Sequence, residues 1–246
     1  MRVGVVIPAY NAEHTLAGVL ARIPVTLRLT HVCIVNDGST DATGRVAREL
    51  AGRPDDRWQQ LEPLDLARNR GYGGAVKHGL LVARRAGMDV VCCLHADGQY
   101  APEELPAMIA TLADRGLDLL QGSRIASGTA LSGGMPLYKY IAGRALTALE
   151  NRVLGLEMTD YHSGYMVYGP RALESLPLER LSDGFDFDLE VIATARAHGL
   201  RIGERAVPTH YGDEVSHLAP VRYGLRVLGV MLNYRAGLYH RLATGR

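Results

Sequence analysis

Short apolar runs, each closed by a polar turn and followed by a segment of helical period, restrict this chain more than any other feature. Val3–Ile7, His31–Val35 and Val90–Leu94 are continuous rather than alternating, which suits strands buried on both faces. Trp58–Leu61 and Leu117–Gln121 read as further strands. Between them, helical patterns run over about Glu13–Ile23, from an N-cap at Ser39 or Thr40 to about Leu50, over Gly74–Ala86, and over Pro102–Arg115, with Pro102 near a first turn. The βαβα order predicts an α/β fold with an open, mostly parallel central sheet flanked by helices. Strands covered on both sides need a large core. A chain of 246 residues, 47% hydrophobic, can supply one in a single domain.

The second half is less regular. Residues 125–135 are rich in Gly, Ser and Thr and predict a mobile loop. Helices are expected at 136–154 and 185–198, strands near 165–168 and 201–207, and a last helix from Pro220. No Pro/Ser linker divides the chain and no internal repeat is present. We expect one domain over 1–219 and a C-terminal helix over 220–246.

Charge and cysteine usage exclude several classes. Lys+Arg 27 against Asp+Glu 26 leaves +1, which argues against a nucleic-acid binder and against charge-rich disorder. Cys33, Cys92 and Cys93 each lie in an apolar run and read as core residues of a reducing compartment. The N-terminus lacks the pattern of a signal peptide, and no stretch of 18 uncharged apolar residues occurs, so a cytoplasmic chain without a membrane span is expected.

In open parallel sheets, ligands bind at the carboxyl ends of the strands. Polar clusters fall there: Pro8–Glu13, Asn36–Asp41 and His95–Tyr100. One acidic turn can simply cap its helix; three on one edge call for more. Pro8–Glu13, Val35–Asp41, Asn69–Gly79 and Ala96–Gln99 resemble, in order, motifs of family 2 glycosyltransferases. The resemblance continues through Gly122-Ser123-Arg124, Asp160–Tyr165 and Gly212–His217, and the most similar branch is the polyprenyl-phosphate sugar synthases. It implies a GT-A (Rossmann-like) fold, a UDP- or GDP-sugar donor bound by 1–124, an acceptor bound by 125–219, and Mg²⁺ or Mn²⁺.

The residue types fit that chemistry. The leaving diphosphate develops negative charge, and a divalent cation neutralises it. Asp97 is the expected metal ligand and catalytic group, with Gln99 beside it, since these ions take oxygen ligands and share them with substrate phosphates. The family motif has Asp where this chain has His95; His95 can ligate the metal, donate to a phosphate, or hold the turn. His217, and less so His210, bracket a late loop that the family folds over the diphosphate, and His217 is an expected contact of the metal or of a phosphate. Pro8, Tyr10, Glu13, Asp37, Gly71, Lys77 and Ala96 are the expected donor contacts. Asp37 can accept from a base edge or ribose, or cap a turn, and Asp41 reads as a helix-start residue. Gly71–Gly74 allows close backbone approach but is no Walker A or dinucleotide fingerprint. Lys77 and Lys139 are the two lysines of an Arg-dominated chain.

Arg124, Lys139 and Arg144 are the expected acceptor contacts, with Arg124 also catalytic. The branch places an Arg where this chain has Met166, and many family members an acid where it has Gly164. An ionised phosphate acceptor needs no base; a hydroxyl acceptor does, and Asp160 is then the candidate, with His162 a weaker one. After Glu214 no acid follows, while Arg222, Arg226, Arg235, Arg241 and Arg246 do, and Val221, Leu225, Leu228 and Leu232 recur at helical spacing. This basic amphipathic helix can pack on its own domain, meet the inner face of a membrane peripherally, or meet a partner such as a second copy in a homo-oligomer. The expected activity is inverting transfer of a sugar to a polyprenyl phosphate. The alternatives are a soluble hydroxyl acceptor, a sugar-1-phosphate nucleotidyltransferase, for which Pro8–Glu13 lacks the Gly-rich basic signature, and a non-catalytic nucleotide-sugar binding module.

Overall fold

A computed structural model of the protein describes residues 1–128, 130–131, 134–208 and 220–244. Seven strands form one sheet: β1 (Val3–Ala9), β2 (Leu29–Asn36), β3 (Trp58–Asp65), β4 (Val90–Cys93), β5 (Leu119–Ser123), β6 (Met166–Tyr168) and β7 (Ile202–Ala206), ordered β3-β2-β1-β4-β6-β5-β7. Only β6 runs antiparallel to its neighbours. The helices are α1 (Leu16–Ala21), α2 (Thr43–Ala51), α3 (Tyr72–Arg85), α4 (Leu105–Asp114), α5 (Leu137–Leu154), α6 (Pro170–Ser175), α7 (Phe187–Ala197), α8 (Pro220–Arg235) and α9 (Leu238–Thr244).

The continuous apolar strands have the cause expected of them. Alternate residues of β1 and β2 feed two cores. Val6, Cys33 and Val35 face Ala75, Val76 and Leu80 of α3 and join the core that α7, α8 and α9 complete. Val5, Ile7, Val32 and Ile34 face Leu16 of α1, Ala47 of α2 and Met108 of α4. The approach of α3 is close: a Cβ on Gly79 would lie 2.2 Å from Val6 Cγ1. All three cysteines are buried and free, and burial pushes the Cys33 and Cys92 thiols up to about 12.

Several boundaries differ from expectation for physical reasons. β3 continues to Asp65 through Pro63, tolerable because β3 is an edge strand. α1 starts at Leu16 and α2 at Thr43, not at Glu13 and Ser39. The residues before each helix spend their polar groups on the opposite loop. The C-terminal segment is two helices, broken at Gly237, whose φ is +74°, and not one. Val227, Val230 and Met231 of α8 and Tyr239 of α9 are core residues, so this segment packs on the rest of the chain. Among the described residues, no helix is long and apolar enough to cross a membrane.

Candidate active site

The carboxyl ends of β1, β2, β3, β4 and β5 lie on one edge of the sheet. Because β6 is reversed, the segment leading into it, Asp160–Tyr165, reaches that same edge. Pro8 sits in β1 two residues past Val6, where the ladder with β4 ends. Tyr10 follows, exposed. Ala96 is buried in the core and can offer only backbone to a ligand.

The first two strand-end loops are laced together. Asn11 N–H donates to Ser39 Oγ at 3.0 Å, Thr40 N–H to Asn11 Oδ1 at 2.9 Å, and Ala12 N–H to Thr43 Oγ1 at 2.7 Å. Glu13, an expected donor contact, instead accepts the Ala42 N–H at 2.8 Å. Asp41 accepts the Thr43 N–H at 2.9 Å, as a helix-start residue should. Asp37 is buried, with its two oxygens receiving the N–H groups of Arg70 (2.6 Å) and Gly71 (3.0 Å). Burial raises its pKa, and those two amides pull the other way. Gly71 has φ +86°, and a Cβ there would meet the Asp183 carbonyl oxygen at 2.5 Å; its N–H is also shared with Asn69. Lys77, another expected donor contact, is buried, donates to the Leu181 carbonyl at 2.6 Å and pairs with Asp183 at 2.5 Å. Glu13, Asp37, Gly71 and Lys77 therefore fix the loops around the edge.

At the end of β4, His95 Nε2 lies 3.1 Å from the Tyr72 hydroxyl, which donates to Asp188 Oδ2 at 2.8 Å. Burial lowers the His95 pKa, against the charge of Asp97. Burial also lifts Asp188 to about 7, against the Tyr72 hydrogen bond. A Cβ on Gly164 would meet Tyr72 Oη at 2.3 Å and His95 Nε2 at 2.4 Å. The two departures from the family pattern thus occupy one space: the imidazole fills the room that a side chain at 164 would need. His95 Nε2 is thus engaged by Tyr72. Asp97 accepts the Gln99 N–H on Oδ1 at 3.0 Å. Among the described residues no group of three or more His, Cys, Asp or Glu gathers for a metal. One carboxylate at a strand end still fits Mg²⁺ or Mn²⁺, which are commonly held by one or two carboxylates plus substrate phosphates. His210 and His217 lie outside the described residues.

At the end of β5, Arg124 forks onto Asp160, with Nε to Oδ2 at 2.9 Å and Nη2 to Oδ1 at 3.2 Å, and donates to the His162 carbonyl at 2.8 Å. Burial would raise the Asp160 pKa, but the Arg124 charge and its hydrogen bonds outweigh that and hold it low. Asp160 also accepts the His162 N–H at 2.8 Å. Asp160 is thus held as an ionised carboxylate with both oxygens engaged. Burial holds His162 down, to about 4. Its ring contacts the Tyr223 hydroxyl of α8 at 2.9 Å and Glu150 of α5 at 3.4 Å. Arg144 lies on α5. It lines a cavity of about 310 Å³ between α5 and Leu156–Thr159, whose wall ends one residue short of Asp160. Lys139 lies on the first turn of α5.

Tyr72, Glu150, Asp188 and Tyr223 were not singled out from sequence. Two carried a readable signal: Glu150 and Asp188 are acids at core positions of helical patterns, between Leu146 and Leu154 and beside Phe187 and Leu189.

The family model for glycosyl transferase family 2 matches residues 4–176. The polyprenol monophosphomannose synthase of Mycolicibacterium smegmatis is 30% identical over 81% of this chain and 74% of its own length. The UDP-N-acetylglucosamine--dolichyl-phosphate N-acetylglucosaminyltransferase of Methanococcus voltae is 26% identical over 94% and 95%. The undecaprenyl-phosphate mannosyltransferase of Micrococcus luteus is 30% identical over 83% and 82%. Among solved structures, glucosyl-3-phosphoglycerate synthase from Mycobacterium tuberculosis, with Mn²⁺, UDP and phosphoglyceric acid, superimposes with a TM-score of 0.68 at 19% identity, over 96% of this chain and 78% of that one. That likeness is one of fold, the GT-A arrangement of a mostly parallel sheet between helices. The matched family model spans the strand-end edge from β1 through β6, and on that ground the chain belongs to glycosyl transferase family 2.

Proposed function

We propose that the protein transfers a sugar, with inversion, from a UDP- or GDP-sugar to a polyprenyl phosphate. The observation that carries this reading is the state of Asp160. The carboxylate on the acceptor side is spent on Arg124 and held ionised, and the other position where family members carry an acid is Gly164, which His95 and Tyr72 keep clear of a side chain. A hydroxyl nucleophile needs a base, and a phosphate does not. The three relatives described above, whose names specify lipid-phosphate acceptors, support the same reading.

The acceptor phosphate oxygen attacks the anomeric carbon opposite the leaving diphosphate, whose bond breaks with the electron pair. Arg124, held rigid by Asp160 and the His162 carbonyl, orients the acceptor. Asp97 and the donor's phosphates would hold Mg²⁺ or Mn²⁺, which supplies neutralisation of the leaving charge. Residues 1–124 serve the donor, 125–219 the acceptor, and the protein works in the cytoplasm on a membrane-borne substrate.

The test offers a short-chain, water-dispersed polyprenyl phosphate and the matching free alcohol with UDP- and GDP-sugars and Mn²⁺. Transfer to the phosphate is expected, and transfer to the alcohol alone would overturn the reading. Asp97→Asn should cost at least about a hundredfold in turnover, about 3 kcal/mol, with the fold intact by circular dichroism. Near-normal turnover would remove Asp97 from the metal site.

A further inference from the structure

A polar side chain with nothing to bond to destabilises a protein interior. Glu150 of α5 is such a group. It is completely buried, and neither carboxyl oxygen makes a hydrogen bond among the described residues. Oε2 stands 3.4 Å from His162 Nε2, which also lacks a hydrogen-bond partner among those residues. The next residue along α5 behaves differently. Asn151 donates to the Met158 carbonyl at 2.8 Å, and accepts the Met158 N–H at 2.9 Å and the Tyr161 hydroxyl at 2.7 Å. Asn151 thus already ties α5 to the segment before β6, and that join does not need Glu150.

Glu150 leads to His162, whose backbone holds both halves of the acceptor-side ion pair. The His162 N–H donates to Asp160 Oδ1 at 2.8 Å, and its carbonyl accepts from Arg124 Nη2 at 2.8 Å. The ring is held by two helices that pack against each other, α5 and α8. Nδ1 lies 2.9 Å from the Tyr223 hydroxyl of α8, with the two rings edge to face at 5.5 Å. Burial, then the charge of Asp160, pushes the Glu150 carboxyl up to about 8, while burial holds the His162 imidazole down at about 4. At neutral pH the proton between them therefore sits on the acid. Glu150 is the donor toward Nε2, and the ring hydrogen is left on Nδ1, facing Tyr223. At 3.4 Å the acid is a few tenths of an ångström from hydrogen-bond distance.

We propose that Glu150 and Tyr223 are positioning residues for the acceptor phosphate, acting through His162 to set the direction in which Arg124 presents its guanidinium. The identity of the acceptor rests on the lipid-phosphate reading above; the network itself does not. Arg124 is bonded to Asp160 and to the His162 carbonyl, so a rotation of His162 shifts both of its partners at once. A planar fork recognises phosphate over a narrow range of directions, and small misplacements of an orienting group cost rate steeply. The contacts of the ring with α5 and α8 resist that rotation. Glu150, completely buried, touches no substrate, and its influence passes through His162 alone.

The experiment measures steady-state transfer to the short, dispersed polyprenyl phosphate by the full-length protein. Glu150→Leu keeps much of the side chain's volume and removes the donor. It should raise the acceptor KM at least about tenfold and leave the donor KM unchanged. Its melting temperature should not fall, because the acid it removes has no hydrogen bond to lose. Glu150→Gln, whose amide can still donate to Nε2, should keep the acceptor KM. Tyr223→Phe, on the second helix, should raise it about fivefold, and it stands in should Glu150→Leu not fold. Tyr239→Phe on α9 removes a buried hydroxyl bonded to Glu190 at 2.8 Å and should change neither KM. An unchanged acceptor KM in Glu150→Leu and Tyr223→Phe overturns the proposal, as do equal rises in both KM values. A second readout needs no transfer. The Arg124 Nε–H resonance, assigned by its loss in Arg124→Lys, should exchange with solvent at least about tenfold faster in Glu150→Leu and Tyr223→Phe than in the wild type. Equal exchange overturns the proposal. Failure of the wild type to use a polyprenyl phosphate sinks the proposed activity alone, and the exchange rates then decide this one.

Discussion

A methyl group on residue 164 would stand within 2.4 Å of both the Tyr72 hydroxyl and His95 Nε2. Neither neighbour can yield cheaply, because Tyr72 is tied to Asp188 and its ring is stacked on Phe185 at 5.7 Å, while the His95 ring is edge-on to Tyr100 at 5.0 Å. Gly164→Ala should therefore destabilise the protein by about 1–3 kcal/mol, the usual cost of overpacking, in denaturant unfolding. In a His95→Ala, Tyr72→Phe background the same substitution should cost much less. An equal cost in both backgrounds would place the strain elsewhere. Asp97, Arg124 and Asp160 were legible as candidates because each stands in a motif that carries the family resemblance, Arg124 directly after β5. Their commitments were not, since the partner that decides each role, such as Asp160 for Arg124, is remote in sequence.

Elements contribute their own titration behaviour where α5, α8 and the loop before β6 meet. Burial, and then the charge of Asp160, pushes the Glu150 carboxyl up to about 8. An unfolded glutamate titrates at about 4.3. Between those values the native state holds a proton that the unfolded state releases, so this group costs stability as pH rises. His162 acts with the opposite sign. Held down at about 4, it stays neutral where the unfolded imidazole, at about 6.5, still binds a proton, so its cost falls as pH rises from about 4 to 6.5. Glu150→Gln removes the first effect alone. Relative to wild type the variant should gain stability steadily from pH 5 to pH 8, by up to about 1.4 kcal/mol per pH unit; an offset independent of pH would show that Glu150 does not titrate there. The strands and long helices of these layers were readable from apolar period. The helix starts at Leu16 and Thr43 were not, because the side chains of Ser39, Asn11 and Glu13 satisfy backbone groups across a gap of about thirty residues, which local capping rules do not see. The short helices α6 and α9 span less than two turns each, too little for a period to emerge.

Across the whole molecule the mostly parallel sheet followed from the βαβα order of the sequence, since short parallel connections allow few arrangements. The position of β6 did not, because nothing in a three-residue run says which strands it will separate. It pairs with β4 through Val91↔Tyr168 and Cys92↔Val167 and with β5 through Leu119↔Tyr168, Leu120↔Val167 and Gln121↔Met166. Remove it and the sheet falls into two rafts, β3-β2-β1-β4 and β5-β7. That geometry sets an order of assembly. The first raft can close from contacts within residues 3–93, whereas β5 must wait for a strand more than forty residues downstream, and distant pairings form late because loop closure comes before their reward. During refolding, pulse-labelled hydrogen exchange should show Val5 and Val32 protected before Val167, and simultaneous protection would contradict this order. A growing chain then completes the wall that carries Asp97 long before the wall that carries Arg124. Until β6 slides between them, the protein has the making of the proposed donor side and nothing of the proposed acceptor side.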